Sequence, residues 1–345
     1  MTTNTVQPGC RSGLRGAGLA LAVATLTLTA CADMSGPGRA GAFDAARANA
    51  DHRALGTLLA SPALSSMGAL GGRVPTGALG IPGSADGAAG AIPLISEQNR
   101  GATFVYDAAR NEYVKDPART GAPANGVRFI LYATTGEGRP DPARETGYAD
   151  LTDLGSSSDD AVALRLVGVS GGRTFVDYAF RADPGENSGE IEIEGFLQNE
   201  SDRLDFDIDV SGEERGANAR LDVGFRLEID SRDFLAEGGA QGVRNDGREH
   251  GALDLLVRHR DDSIRVDATG LNDRIDASFF INDGLFATAV GPHGNPEIRG
   301  ANGRELTGPE MLALAHIVGI TAHVFKLVEC LAEPVEDLIG LGVVL

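Results

Sequence analysis

Between residues 101 and 299 the chain alternates apolar and polar side chains with a period of two. That period belongs to strands that turn one face to an apolar core and the other to water. Runs of strand length are GVRFILYA, AVALRLVGV, RTFVDYAF, GEIEIEGFL, RLDFDIDV, ARLDVGFRLEID, ALDLLVRH, SIRVDAT, RIDASFFI and GLFATAV. Clusters such as SGG, QNESD, RDD, LND and NDG separate them, and residues of these types accept turn geometry. Connections this short cannot carry the crossovers that parallel strands need, so neighbours are expected to pair antiparallel in a meander.

The alternation is one-sided. Ile191, Ile193, Leu197, Leu204, Phe206, Ile208, Val210, Leu221, Val223, Phe225, Leu227 and Ile229 share one face, and Glu190, Glu192, Glu194, Asp205, Asp207, Asp209, Asp222 and Glu228 share the other. Large twisted sheets with one apolar face curl, split or close. The expected fold is therefore mainly β: a long antiparallel meander curled into an open half-barrel, with an N-terminal and a C-terminal helix packed on the apolar face.

Periodicity near 3.6 appears at both ends of the meander. Residues 43–60 place Phe43, Ala46, Ala50, Ala54, Leu55, Leu58 and Leu59 near one helical face before Ser61-Pro62. Residues 61–98 carry so many Gly and Pro breaks that a loop is expected there. A long helix is predicted over 308–333, from a Pro-Glu start to a stop at Pro334, with Leu314, Ile317, Val318, Val324, Phe325, Leu327, Val328 and Leu331 on its apolar half. His316, His323, Lys326 and Glu329 argue against a membrane span for it. The domain reading is a signal peptide over 1–30, a lipidated tether over 31–42, a helix and Gly/Pro-rich loop over 43–98, and the β domain with its C-terminal helix over 99–345.

The N-terminus has its own pattern. Arg11 and Arg15 precede an uncharged stretch of Gly, Ala, Leu, Val and Thr that ends in Leu28-Thr29-Ala30-Cys31. A basic segment, an apolar segment of secretory length and small residues before a cleavage point form a signal peptide, and the stretch is short for a bilayer span. Leu28-Thr29-Ala30-Cys31 resembles the lipobox of bacterial lipoproteins. That resemblance implies that Cys31 becomes the acylated N-terminal residue and that the chain lies in the cell envelope, anchored in the membrane by acyl chains such as palmitate, with Ala32 and Asp33 favouring the outer membrane. Acyl chains bury methylenes at about 0.8 kcal/mol each. Cys10 would leave with the signal, Cys330 would remain as a lone thiol, and no internal disulfide is expected.

Charge narrows the partners. The chain has 30 Lys and Arg against 49 Asp and Glu, a formal net charge of −19, which loss of Arg11 and Arg15 would make more negative still. Nucleic acid is excluded as a natural partner, since the attraction to phosphate comes from basic residues.

Candidate chemistry is sparse. Gly168-Val169-Ser170-Gly171-Gly172 matches the hydrolase nucleophile pattern, but that motif needs a helix after the serine and a strand follows here, so a hairpin turn is expected. His316 and His323 stand seven residues apart, about 10.5 Å along a helix, too far to share one zinc with ligand bonds of about 2.1 Å. Neither a metal site, a cofactor nor a catalytic residue is assigned, and the chain is read as a non-enzyme. The one candidate is a cation-binding acidic face made by Glu190, Glu192, Glu194, Asp205, Asp207 and Asp209, set opposite one another across a hairpin. Calcium, or Arg220, Arg226 and Arg265 on nearby strands, would relieve their repulsion.

Taken together, signal, tether, one-sided meander and covering helices resemble at fold level the unclosed β-barrels of periplasmic lipoprotein carriers and their outer-membrane receptor lipoproteins. The resemblance implies a lipid-anchored protein that binds or shields an apolar ligand such as an acyl chain on its sheet. A structural or partner-binding envelope lipoprotein, with a filled core and an acidic working face, stays open beside it.

Overall fold

The alternating runs do form strands, and they join into one open sheet. In the computed structural model, residues 45–70, 73, 95–155, 161–315 and 317–319 are described. Two helices come first, α1 (Ala45–Leu59) and α2 (Pro62–Gly68). The strands are β1 (Ala102–Asp107), β2 (Glu112–Lys115), β3 (Gly126–Thr134), β4 (Pro140–Asp153), β5 (Val162–Ser170), β6 (Arg173–Pro184), β7 (Ser188–Gln198) and β8 (Arg203–Arg215). They continue as β9 (Asn218–Ile229), β10 (Phe234–Asn245), β11 (Arg248–His259), β12 (Asp262–Leu271), β13 (Arg274–Ile281), β14 (Gly284–Pro292) and β15 (Glu297–Gly300). Residues 308–315 and 317–319 are helical and are called α3; the predicted extension of this helix to 333 lies outside the described residues, as do Cys10, Cys31 and Cys330.

From β3 to β15 every strand pairs antiparallel with the next, and the sheet runs β15 to β3 in sequence order, then β1 and β2. The all-antiparallel expectation fails at one place. β1 pairs parallel with β3, with Ala102 opposite Val127 and Phe104 opposite Phe129, while β2 folds back on the other side of β1. The link from β1 to β3 contains β2 and residues 116–125, long enough to return the chain to the same direction.

Residues 61–68 also depart from the expected loop. Ser61 caps α2 by accepting the Leu64 N–H at 3.2 Å, and Pro62 sits in the first turn, a pairing of cap and proline that starts helices. Met67 is buried and α2 rests against β3 and β4.

One continuous apolar cluster runs through the molecule. It includes Leu55 and Leu58 of α1, Met67, Phe129, Leu151, Leu166, Phe180, Ile193, Ile208, Leu227, Leu255, Val266, Phe279 and Ala287 of successive elements, and Leu314 and Ile317 of α3. Each fully buried side chain of this size stabilises the fold by about 1.5–3 kcal/mol. A bulge in the β13–β14 pairing places both Phe286 and Ala287 among the buried residues, since the extra residue of a bulge breaks the alternation.

Glycines let neighbouring strands close on one another at four places. A Cβ at Gly126, Gly147, Gly195 or Gly238 would fall 1.9–2.3 Å from a carbonyl oxygen of the neighbouring strand. Only a residue without a side chain permits that approach, and such positions mark sharp bends in sheets.

Candidate functional site

The apolar face is graded from one end to the other. Across β7 to β14 one row of paired residues reads Ile193, Ile208, Phe225, Gly238, Leu255, Val266, Phe279, Ala287. The next row reads Ile191, Val210, Val223, Ala240, Leu253, Ala268, Ala277, Ala289, and the outermost reads Gly189, Gly212, Leu221, Gly242, Gly251, Gly270, Ile275, Gly291. Side chains thus shrink toward one end of the strands, until bare backbone forms most of the surface. Leu221, Val223, Ala268 and Ile275 in the two outer rows are only half-buried, although they pack against the core. These glycines escaped the reading of the sequence, since single glycines inside separate strands reveal their common row only once the register is known.

On the opposite face the six predicted carboxylates are brought to one hairpin, with a register that changes the expectation. Glu192 stands opposite Asp209 and Glu194 opposite Asp207, whereas Glu190 faces Ser211 and Asp205 faces Phe196. Four of the six are therefore in direct opposition. The three arginines expected to compensate go elsewhere. Arg220 pairs with Asp222 at 2.6 Å, Arg226 with Glu228 and Glu237 at 2.9 Å each, and Arg265 with Asp267. Pairs within one strand or with the next strand on the far side win because an arginine two residues away on the same face is already in reach. Relief comes instead from Arg181, 3.6 Å from Glu192, and from Arg203, 2.7 Å from Asp205. The carboxylates of Glu190, Glu194, Asp207 and Asp209 stay at the solvated surface.

Aromatic residues also occur on this wet face, each roofed by a guanidinium. Arg128 lies 3.7 Å from the Tyr148 ring centroid, Arg203 3.9 Å from Phe196 and Arg265 3.9 Å from Phe280. Stacking of this kind shields the ring and leaves the charge hydrated.

Ser170 occupies the end of β5, and Gly171 and Gly172 form the hairpin turn to β6 with φ of 57° and 76°. Two successive positive φ angles fit the turn that glycine tolerates best. The Ser170 hydroxyl donates to the Thr146 carbonyl at 3.0 Å, which places it in a strand-end contact. Among the described residues no group of three or more His, Cys, Asp and Glu side chains is arranged to hold a metal ion. His316, His323 and the side chain of His52 lie outside the described residues.

Two polar arrangements tie connecting segments together, one between the β7–β8 and β9–β10 turns and one at the start of α3. Asp202, 8% exposed, accepts from Arg232 through both oxygens at 2.8 and 2.9 Å and from the Ser231 hydroxyl at 3.3 Å. The hydrogen bonds from Arg232 hold its carboxyl below the usual carboxylate range, against the opposing effect of burial. At the start of α3, Glu310 accepts from Arg304 at 2.8 and 2.6 Å and from the Thr307 N–H and hydroxyl at 2.9 Å each. Arg304 is the main cause that brings the Glu310 carboxyl down to about 2. Thr307-Gly308-Pro309-Glu310 carries the spacing in which an acid three residues after a threonine reaches back to its N–H, so this contact was legible in the sequence.

Among the described residues no helix is long and apolar enough to cross a membrane. The chain matches no protein-family model, no curated protein and no solved structure.

Proposed function

We propose that the protein is a lipid-anchored lipoprotein of the cell envelope, held in the outer membrane through Cys31, whose bent open sheet binds or shields an apolar ligand such as an acyl chain. The observation that carries the ligand reading is the half-buried set Leu221, Val223, Ala268 and Ile275 on the same side as the fully buried core. Beside them the sheet presents glycine backbone at residues 212, 242, 251 and 270. Apolar surface left partly open next to a formed core is what a binding recess for a slender hydrocarbon requires. No catalytic step and no cofactor enter this reading, and the acidic outer face keeps the protein from nonspecific adhesion to anionic lipid.

The test is extraction of the Cys31→Ser protein, which carries no acyl group of its own, after purification in a detergent with a chemically distinct tail. Mass spectrometry is expected to find a fatty acid or phospholipid at close to one per chain. Protein free of lipid that also fails to bind a fluorescent fatty acid would overturn the reading.

A second reading has its own support. Ala313, Leu314 and Ile317 of α3 are buried in the same cluster as the sheet, as they would be in a structural or partner-binding lipoprotein whose core is filled by its own chain. In that case lipid extraction returns nothing and the acidic face is the working surface.

A further inference from the structure

The glycine row of the apolar face is followed by a charged rim. Two residues further along the strands, and on the same side of the sheet, the paired residues read Glu214, Ala219, Arg244 and Glu249 across β8 to β11, since side chains two apart on a strand share a face. Among the described strand residues from β7 to β15, Arg244 is the one arginine or lysine on this side; the other arginines of these strands alternate to the wet face. Arg244 is also loosely held. Arg226, Arg232 and Arg304 meet carboxylates at 2.6–2.9 Å, whereas Arg244 reaches across the small Ala219 to Glu214 Oε1 at 3.4 Å. Its side chain is 30% exposed and that of Glu214 is 61% exposed, so both can turn to a ligand at the edge of the recess. Glu249 is half-buried and stands directly opposite Arg244 on the next strand.

We propose that the recess takes a zwitterionic phospholipid, an acyl chain whose head carries a phosphate and, two carbons away, an ammonium group. Arg244 binds the phosphate, and Glu214 and Glu249 bind the ammonium. The order of surfaces along the strands matches that amphiphile: buried core, half-buried apolar rows, bare glycine backbone for the neck, then charge. Charge complementarity selects the head. A guanidinium offers five N–H donors in a planar fork that meets phosphate through two parallel bonds, and one contact at 3.4 Å does not occupy that fork. The two rim carboxylates outnumber the one cation, so a head with phosphate alone meets repulsion, and a head with ammonium alone forfeits Arg244. Neighbouring strands lie about 4.8 Å apart, which spaces the opposed Arg244 and Glu249 for charges two carbons apart. The proposal rests on the ligand reading above and adds to it the chemistry of the head.

The experiment uses the full chain carrying Cys31→Ser and titrates it calorimetrically with monomyristoylglycerol, myristoyl lysophosphatidic acid and myristoyl lysophosphatidylethanolamine, each below the concentration at which it forms micelles. The tail is the same in all of them and only the head differs. The ethanolamine lipid is expected to bind about tenfold more tightly than the uncharged one, the size of a charge-assisted contact. Arg244→Gln is expected to weaken both phosphate lipids about tenfold and to leave monomyristoylglycerol, which reports an intact recess, unchanged. Glu214→Gln combined with Glu249→Gln is expected to bring the phosphatidic acid above the ethanolamine lipid. Arg181→Gln, on the wet face 3.6 Å from Glu192, is the control and should change nothing. Equal affinity of the parent protein for all the lipids, a parent preference for the phosphatidic acid, or an Arg244→Gln protein that behaves as the control would each overturn the assignment of the head while the ligand reading stands. Binding of none of the lipids would overturn the ligand reading itself, and the head assignment with it.

Discussion

Tyr178 and Phe206 meet over a residue that has no side chain. Their ring centroids are 6.2 Å apart with planes tilted by 59°, and Gly195, on the strand between them, stands opposite both. Two strands that are not neighbours thereby share an aromatic contact, at the place where β7 closes on β6. A ring covering a strand glycine restores the burial that the glycine lacks.

Gly195→Ala is expected to destabilise the protein by about 3 kcal/mol, the upper end for an overpacked site, because the new Cβ would fall 2.2 Å from the Asp177 carbonyl oxygen and 2.5 Å from Tyr178 Cα. Gly189→Ala is the comparison, since its Cβ would come no closer than 4.0 Å to Asp183 O. Urea unfolding of both variants checks the difference, and equal midpoints would refute the account of the close approach.

Asp202→Asn and Arg232→Ala are expected to lower stability by about 1–3 kcal/mol, since each breaks a two-bond pair at the loop ends of β7–β8 and β9–β10. The pH dependence has a definite sign. Asp202 and Glu310 both have carboxyls held below their ordinary values by arginine. Their stabilising contribution is complete above the unfolded-state carboxylate range, near pH 4, and is lost as pH falls through the folded-state values, for Glu310 about 2. Stability measured between pH 5 and pH 2 should fall less steeply in Asp202→Asn than in the parent protein.

Cys31→Ser is expected to abolish incorporation of an alkyne fatty acid and to leave an uncleaved precursor, because the acylated thiol is gone. Labelling that persists in the variant would remove the anchor assignment.

Glu194→Lys is expected to raise the unfolding midpoint by about 1–3 °C at low salt, since it places a cation opposite Asp207 with the neutral Ala179 on its other side. The gain should shrink at 1 M salt, where screening acts within about 3 Å. A midpoint that falls in Glu194→Lys, at both salt concentrations, would indicate that the acidic ladder holds something that needs all of its carboxylates.

The strands with strong alternation were legible one by one. Ile191, Ile193, Leu204, Phe206 and Ile208 could be assigned to one face, and Glu190, Glu192, Asp207 and Asp209 to the other, because side chains two apart on a strand necessarily share a side. β10 was not legible. Its Gly238, Gly239 and Gly242 blur the period, and without it β9 would have been set beside β11. β1, β2, β4 and β15 were missed as well, being short or, in β4, rich in charged and small residues.

The sequence by itself determined the one-sided character of the sheet, the turn at Gly171-Gly172, the start of α3 and the acidic sign of the outer face. Each of these depends on residues close together in the chain. Only the tertiary structure decided that β1 runs parallel to β3, that glycines from β7 to β14 fall into one row, and that Arg226 serves Glu228 and Glu237 instead of Asp207. These depend on register, and register is fixed by the summed burial of many strands at once; a slip of a single residue would turn every side chain of a strand to the opposite face.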